Sequence, residues 1–306
     1  MNPKHRIIFL VGPTAVGKTG VSMSLAYKFN AEIISCDSMQ VYKKMDILTS
    51  KPSLLLLNRV KHHLIGVVAP QKEYNVARFR IDALKKIKDI IKCGKVPLLV
   101  GGTGLYMSIL VDGIFQTKAQ NPAIRRRLYE EVEKLGSQYL FEKLHKIDPL
   151  SAKRIHPHDT KRIIRALEVF QITGKPISQL QKQRSGLWDK YDVRIFCLNM
   201  ERDKLYGAIE KRVDKMFKKG LLKEVSRLLK LRLSKTAACA IGINELKGYF
   251  EGQCGLEEAK RRMCQNTRNY AKRQLTWFRK DKRIQWIEVG DKESASAIAS
   301  KIAHKL

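Results

Sequence analysis

The sequence predicts an α/β protein, a P-loop parallel sheet flanked by helices, with an all-helical subdomain inserted into it. Three observations carry this. Apolar, β-branched runs alternate with amphipathic helical patterns over the first hundred residues. A turn of the form G-x-x-x-x-G-K-T joins the first run to the first helix. From about residue 116 the strand pattern stops, and helical patterns follow one another until about 190.

The elements follow in order. IIFLV at 7–11 predicts a buried strand, and GVSMSLAYKF at 20–29 the helix after the turn. The basic pair before IIFLV gives the start a faint likeness to a leader segment, but the run leads straight into the turn pattern and is expected to be a core strand. AEIISCD at 31–37 is a second strand. FRIDALKKIKDIIKCG at 79–94 is an amphipathic helix closing on glycine, and VPLLVGG at 96–102 a third strand. NPAIRRRLYEEVEKLG at 121–136 opens on Asn-Pro and stops at glycine. QYLFEKLHKID at 138–148 is a second helical pattern, and DTKRIIRALEVFQITG at 159–174 has an aspartate cap and a terminal glycine. YDVRIFCLNM at 191–200 returns to a strand, ERDKLYGAIEKRVDKMFKKG at 201–220 is a long helix, and RIQWIEV at 283–289 a last strand. The expected domains are a P-loop catalytic core at 1–117 and 191–306, with basic C-terminal helices, and a helical insertion at 118–190. LLLLN at 54–58 is too short to span a membrane, and no other run approaches the needed length.

The turn GPTAVGKT runs Gly12, Pro13, Thr14, Ala15, Val16, Gly17, Lys18, Thr19. Its glycines let backbone N–H groups converge on phosphate oxygens, and the next helix adds its positive N-terminus. Lys18 supplies a point charge and the Thr19 hydroxyl a ligand for Mg²⁺. Motor ATPases and GTPase switches also anchor the metal with a carboxylate after a core strand. The strand at 96–102 ends instead in Gly101-Gly102-Thr103-Gly104, and the acidic residue falls after the second strand, at Asp37. That suits an enzyme acting on a small phosphorylated substrate, with Asp37 facing the acceptor, while a plain turn or helix cap is the other reading of Asp37. The glycines of GGTGLY likewise serve close packing or bring Thr103 to the ligand edge of the sheet.

Sixty Lys and Arg against twenty-nine Asp and Glu leave a net charge of +31, which points to a polyanionic partner, nucleic acid first. The excess concentrates in KRRMCQNTRNYAKRQLTWFRKDKR at 260–283, with ten basic residues, one acidic residue and interleaved aromatics. Such a run is either a solvated helix face or a phosphate-contacting one, and unrelieved repulsion favours the second. KRIIR at 161–165 and Arg125 extend basic character to the insertion. Six cysteines without paired spacing suit reduced thiols in the cytoplasm. His62-His63 and His156-Pro157-His158 are expected to be ordinary surface or turn histidines rather than a zinc site.

Taken together, GPTAVGKT, DSMQVYKKMDI, HHLIG, GGTGLY, HDTKRIIRALEVFQITGKPIS, RVDKMFKKGLLKEV, AIGINEL and TRNYAKRQLTWFR resemble, in order and over nearly the whole chain, the bacterial tRNA dimethylallyltransferase (tRNA isopentenyltransferase) family. The resemblance implies transfer of a dimethylallyl group from its diphosphate to N6 of the adenine 3′ to the anticodon, with Mg²⁺ and no phosphoryl transfer. It implies catalytic roles for Lys18, Asp37, Thr103 and Arg212, diphosphate binding by 12–19, and Thr19 at the metal. It implies tRNA contacts at Asp37, Ser38, Met39, Gln40, Thr103, Arg125, Lys161, Arg162, Ile163, Ile164 and Arg165. The basic stretch adds Arg268, Lys272 and Arg273 as backbone contacts. The partners are then a tRNA anticodon stem-loop and dimethylallyl diphosphate, with a cytoplasmic monomer expected and no membrane. The chain departs from the family pattern at Val16, Gly66, Ala208 and Asn244. At Ala208 an arginine near the phosphates is missing.

Overall fold

The computed structural model describes residues 4–115 and 121–306, and the boundary expected at 117/118 lies outside them. The chain forms two compact units, 1–111 with 190–306, and 112–189.

In the first unit the order is β1 (Arg6–Val11), α1 (Lys18–Lys28), β2 (Ala31–Ser35), α2 (Leu54–Arg59), β3 (His62–His63), α3 (Val76–Lys92), β4 (Val96–Gly101) and α4 (Gly104–Val111). The second unit holds α5 (Pro122–Ile147), α6 (Pro149–Ala152), α7 (Thr160–Thr173), α8 (Ile177–Lys182) and α9 (Leu187–Lys190), the last running to its border. The chain then returns through β5 (Asp192–Asn199), α10 (Arg202–Lys218), α11 (Leu221–Leu229), a 3₁₀ turn, α12 (Ile243–Phe250), α13 (Leu256–Phe278), β6 (Gln285–Glu288) and α14 (Ala295–Ala303).

The sheet is parallel in the order β3-β2-β4-β1-β5-β6. Parallel strands covered on both faces need side chains that are apolar throughout, and β1 is buried from Ile7 to Val11. Its neighbours contribute Leu98, Phe196 and Leu198 to one core, sealed by Val21 and Leu25 of α1 and Ile298 of α14. After β1 the chain turns to one side of the sheet. After β4 it crosses to β5 on the other, so the crevice that parallel sheets open at such a reversal lies beside β1 and β4.

The strand at His62–His63 departs from the expectation of surface histidines. The two residues add an edge strand to β2, where the His63 ring nitrogen meets buried Glu32 at 2.7 Å. Two residues are too few for any hydropathy pattern to announce. LLLLN forms α2, with Leu54 78% exposed.

The helical unit packs around Leu128, Leu140, Leu144, Ile163 and Leu167. Asn121 caps α5 through Ala123 N–H, and Pro122 fills its first turn. Gly136 breaks α5 with φ 80°, where the sequence places a stop. Asp159 caps α7 through Arg162 N–H, and Gly174 ends it at φ 67°. No helix among the described residues is long and apolar enough to cross a membrane.

Candidate active site

The phosphate loop leaves β1 at Gly12, whose φ of 145° leaves no room for a side chain, since a Cβ would sit 2.7 Å from the Leu198 carbonyl oxygen. Ala15 is left-handed at φ 66° and Gly17 at φ 94°, and α1 begins at Lys18 with no acidic residue in its first turn. These are the turns that aim successive N–H groups into one concavity and leave the helix dipole uncompensated. Lys18 Nζ folds back to donate to the carbonyls of Gly12 (2.9 Å) and Pro13 (2.6 Å). Burial lowers the Lys18 pKa to about 8, with nearby Arg212 adding to the effect and Asp37 opposing it.

Two loop positions are narrower than the sequence suggests. The Val16 side chain belongs to the core with Ile8 and Leu10, so only its backbone is available to an anion. The Thr14 N–H is already committed, donating to Gln274 Oε1 at 2.9 Å.

Asp37 sits just beyond β2. Its Oδ1 accepts from the N–H groups of Met39 (2.9 Å) and Gln40 (3.3 Å), which is turn chemistry, while the residue also lines the cavity with Lys18 and Arg212. The Thr103 hydroxyl accepts from Ser38 N–H at 3.1 Å and shares a hydrogen bond with Tyr270. Thr103 thereby fixes the turn after β2 to the turn after β4 and acts at the cavity through Ser38. The close-packing reading of GGTG holds: a Cβ on Gly101 would collide with the Cys36 carbonyl, and one on Gly104 with the Trp277 ring. Arg212 enters from α10. Burial pulls its guanidinium below its ordinary pKa, against the attraction of Asp37 and Tyr270.

These groups meet in one cavity of about 540 Å³. Its polar lining includes Thr14, Lys18, Thr19, Asp37, Arg212, Tyr270 and Gln274. Its apolar lining includes Leu48, Val213, Met216, Ile241 and Met263. Ala208, where the family arginine is absent, lines the cavity as well. A recess of about 50 Å³ adjoins it at Lys18, Thr19, Asp37 and Gln40.

Among the residues expected at tRNA, Ser38, Met39, Gln40 and Arg273 line the cavity. The Gln40 amide also braces its own loop by donating to the carbonyls of Thr49 (3.3 Å) and Ser50 (3.5 Å). Lys272 is exposed. Arg268 is half-buried, paired with Glu210 and 5.2 Å over the Tyr206 ring. In the helical unit Lys161 and Arg162 are exposed. Ile163 and Ile164 are 0% and 1% exposed and belong to that unit's core, so their side chains are not contacts for a ligand. Arg125 and Arg165 both bond the carboxylate of Glu168, which is 0% exposed, at 2.8 and 2.7 Å. Burial pushes the Glu168 pKa up, but the two arginines outweigh it and hold it below the ordinary range.

Sequence reasoning misses two residues that shape the site. Gln274 joins the Thr14 N–H to the Gly102 carbonyl, and Glu224 of α11 accepts the N–H groups of Asp46, Ile47 and Leu48 at 3.0, 2.9 and 2.8 Å. Gln274 has a faint signal, a polar residue on the buried stripe Met263, Thr267, Ala271, Phe278 of α13. Glu224 has none.

The family model described as IPP transferase matches residues 40–281, and one described as isopentenyl transferase matches 5–69. A tRNA dimethylallyltransferase of Carboxydothermus hydrogenoformans is 46% identical over 97% of this chain and 96% of its own length. The full-length tRNA isopentenylpyrophosphate transferase of Bacillus halodurans superposes with a TM-score of 0.72 at 39% identity, covering 99% of this chain and 97% of that one. A eukaryotic dimethylallyltransferase, solved acting on tRNA, superposes with a TM-score of 0.84 at 31% identity, covering 98% of this chain and 77% of that one. With the phosphate loop, Asp37 and Arg212 on one cavity and relatives matched along nearly its full length, the chain belongs to the IPP transferase family.

Proposed function

We propose that this protein transfers the dimethylallyl group of dimethylallyl diphosphate to the exocyclic N6 of the adenine 3′ to the anticodon in tRNA. The observation that carries this is a single cavity with an anion-binding loop, a carboxylate and an apolar lining: Lys18 and Arg212, Asp37, and Val213 with Met216. Diphosphate fits the loop, the five-carbon chain the apolar lining, and the adenine edge the Asp37 side.

In the reaction the C1–O bond to diphosphate breaks and the N6–C1 bond forms. The N6 lone pair is delocalised into the ring, so the amine gains nucleophilicity as Asp37 accepts its proton. The departing diphosphate carries the electron pair, and Lys18, Arg212 and the loop N–H groups stabilise its charge. The target base has to leave the anticodon loop to reach the cavity. Exposed Lys161 and Arg162 of the helical unit and Lys272 and Arg273 of α13 contact the RNA backbone.

The chemistry of the donor set fits Mg²⁺. Thr19 and Asp37 bring hard oxygen donors to the recess, and no group of three or more His, Cys, Asp or Glu capable of holding a metal occurs among the described residues. Thr19 would hold a magnesium ion beside the diphosphate. When bound, such an ion would supply charge neutralisation at the leaving group. The protein acts as a cytoplasmic monomer in this reading.

Incubation with labelled dimethylallyl diphosphate and either tRNA or AMP tests the proposal. Label in tRNA, at the adenine 3′ to the anticodon, is the expected result. Label in AMP alone, or none in either, overturns it.

A further inference from the structure

Gln274 lies on α13, is 5% exposed, and spans two turns that the sequence separates from it by more than 170 residues. Its Oε1 accepts the Thr14 N–H at 2.9 Å, and its Nε2 donates to the Gly102 carbonyl at 2.9 Å. One partner can only donate and the other can only accept, so the amide has one orientation, and the side chain there must offer an acceptor and a donor at once. Gly102 is part of the same arrangement, since a Cβ there would collide with Gln274 Nε2.

We infer that Gln274 is a positioning residue that presets the phosphate loop for its anion. Thr14 immediately precedes left-handed Ala15, at the point where the loop turns toward the cavity. Holding the Thr14 N–H on a buried amide fixes the direction of the loop backbone that follows. The same bond ties that loop to the turn after β4 and to the helix that brings Tyr270 and Arg273 into the cavity. Without the amide, a part-buried N–H and a buried carbonyl lose their partners, and the loop re-forms around whatever can satisfy them. The inference rests on the reading of the loop as a diphosphate site.

The test compares wild type with Gln274→Ala and Gln274→Glu. The probes are inorganic diphosphate with Mg²⁺, measured by calorimetry, and steady-state prenyl transfer with separate KM values for donor and tRNA. Gln274→Ala is expected to raise the diphosphate Kd and the donor KM by about ten-fold or more, with the tRNA KM changed by less than about three-fold. In Gln274→Glu the protonated acid reproduces both hydrogen bonds and the carboxylate only one. Its diphosphate affinity relative to wild type therefore recovers as pH falls from 8 to 5. The charged and titratable groups that line the cavity with Gln274 are Lys18, Asp37, Arg212, Cys239, Tyr270 and Arg273, all common to both proteins. An unchanged diphosphate Kd in the variants overturns the inference. So does a donor KM and tRNA KM rising together with a falling Tm, because that pattern is a general loss of structure. If Gln274→Ala does not fold, the pH profile of Gln274→Glu decides. Absence of prenyl transfer by wild type sinks the functional reading, while the diphosphate comparison still tests Gln274.

Discussion

One substitution can pull apart the turn that Asp37 makes and the base role proposed for it. Asparagine keeps an oxygen to accept from the Met39 and Gln40 N–H groups, so the turn survives, but it cannot take a proton from an amine. Asp37→Asn should therefore lower kcat by about 10²–10⁴-fold with tRNA binding retained in a filter assay, and Asp37→Ala should weaken both. Lys18 gives a second test. Its pKa falls from an ordinary 10.5 to about 8 in the free protein, mainly through burial. Between those values the unfolded chain holds a proton that the fold does not, so Lys18 costs stability as pH drops through that window and adds no further pH dependence below it. A bound diphosphate restores the charge. Binding at pH 9 should therefore take up a proton, seen as a calorimetric enthalpy that varies with buffer ionisation, whereas at pH 6 it should not. Lys18 and Asp37 were legible because each follows a strand at a recognisable spacing. Gln274 was not, because its partners are backbone groups 260 and 172 positions away, and backbone groups leave no mark in a sequence.

Among the elements, the segment between β2 and α2 depends most on distant support. It supplies Leu48, Thr49 and Ser50 to the cavity wall but is irregular, with left-handed residues at Lys44 and Ser50. Glu224 of α11 gathers three of its N–H groups, acting as a cap for a loop rather than for a helix. Glu224→Ala should cost about 1–3 kcal/mol in denaturant titration and raise amide exchange selectively at 46–48, while Glu224→Gln, which keeps an acceptor, should do less of both. The regular elements were legible where periodicity and caps agreed, as for α3, α7 and β1. The edge strand β3 and the tie from α11 to this loop were not. Both arise from tertiary pairing, and β3 is only two residues long.

For the whole molecule, the net charge of +31 correctly raised nucleic acid as a partner but could not say which arginines remain available for it. Basic residues of the chain serve two different ends. Lys272 is exposed on α13, whereas Arg125 and Arg165 hold the buried Glu168 carboxylate inside the helical unit, where the run KRIIR also sends Ile163 and Ile164 into the core. An exposed lysine on RNA phosphate adds affinity that salt screens through counterion release. An arginine on a buried carboxylate mainly adds stability, because its removal leaves a charge short of partners. Glu168 sits below its ordinary pKa, so this stabilisation is present above the unfolded carboxylate pKa and is lost as pH falls through the folded one. The two classes should therefore separate in one experiment. Lys272→Ala should leave Tm unchanged and reduce the slope of log K for tRNA against log salt by about one. Arg165→Ala should lower the melting temperature of the helical unit at pH 7, with a smaller loss at pH 3, and leave the salt slope near its wild-type value. A full unit of slope lost in Arg165→Ala with Tm intact would return that arginine to the RNA surface.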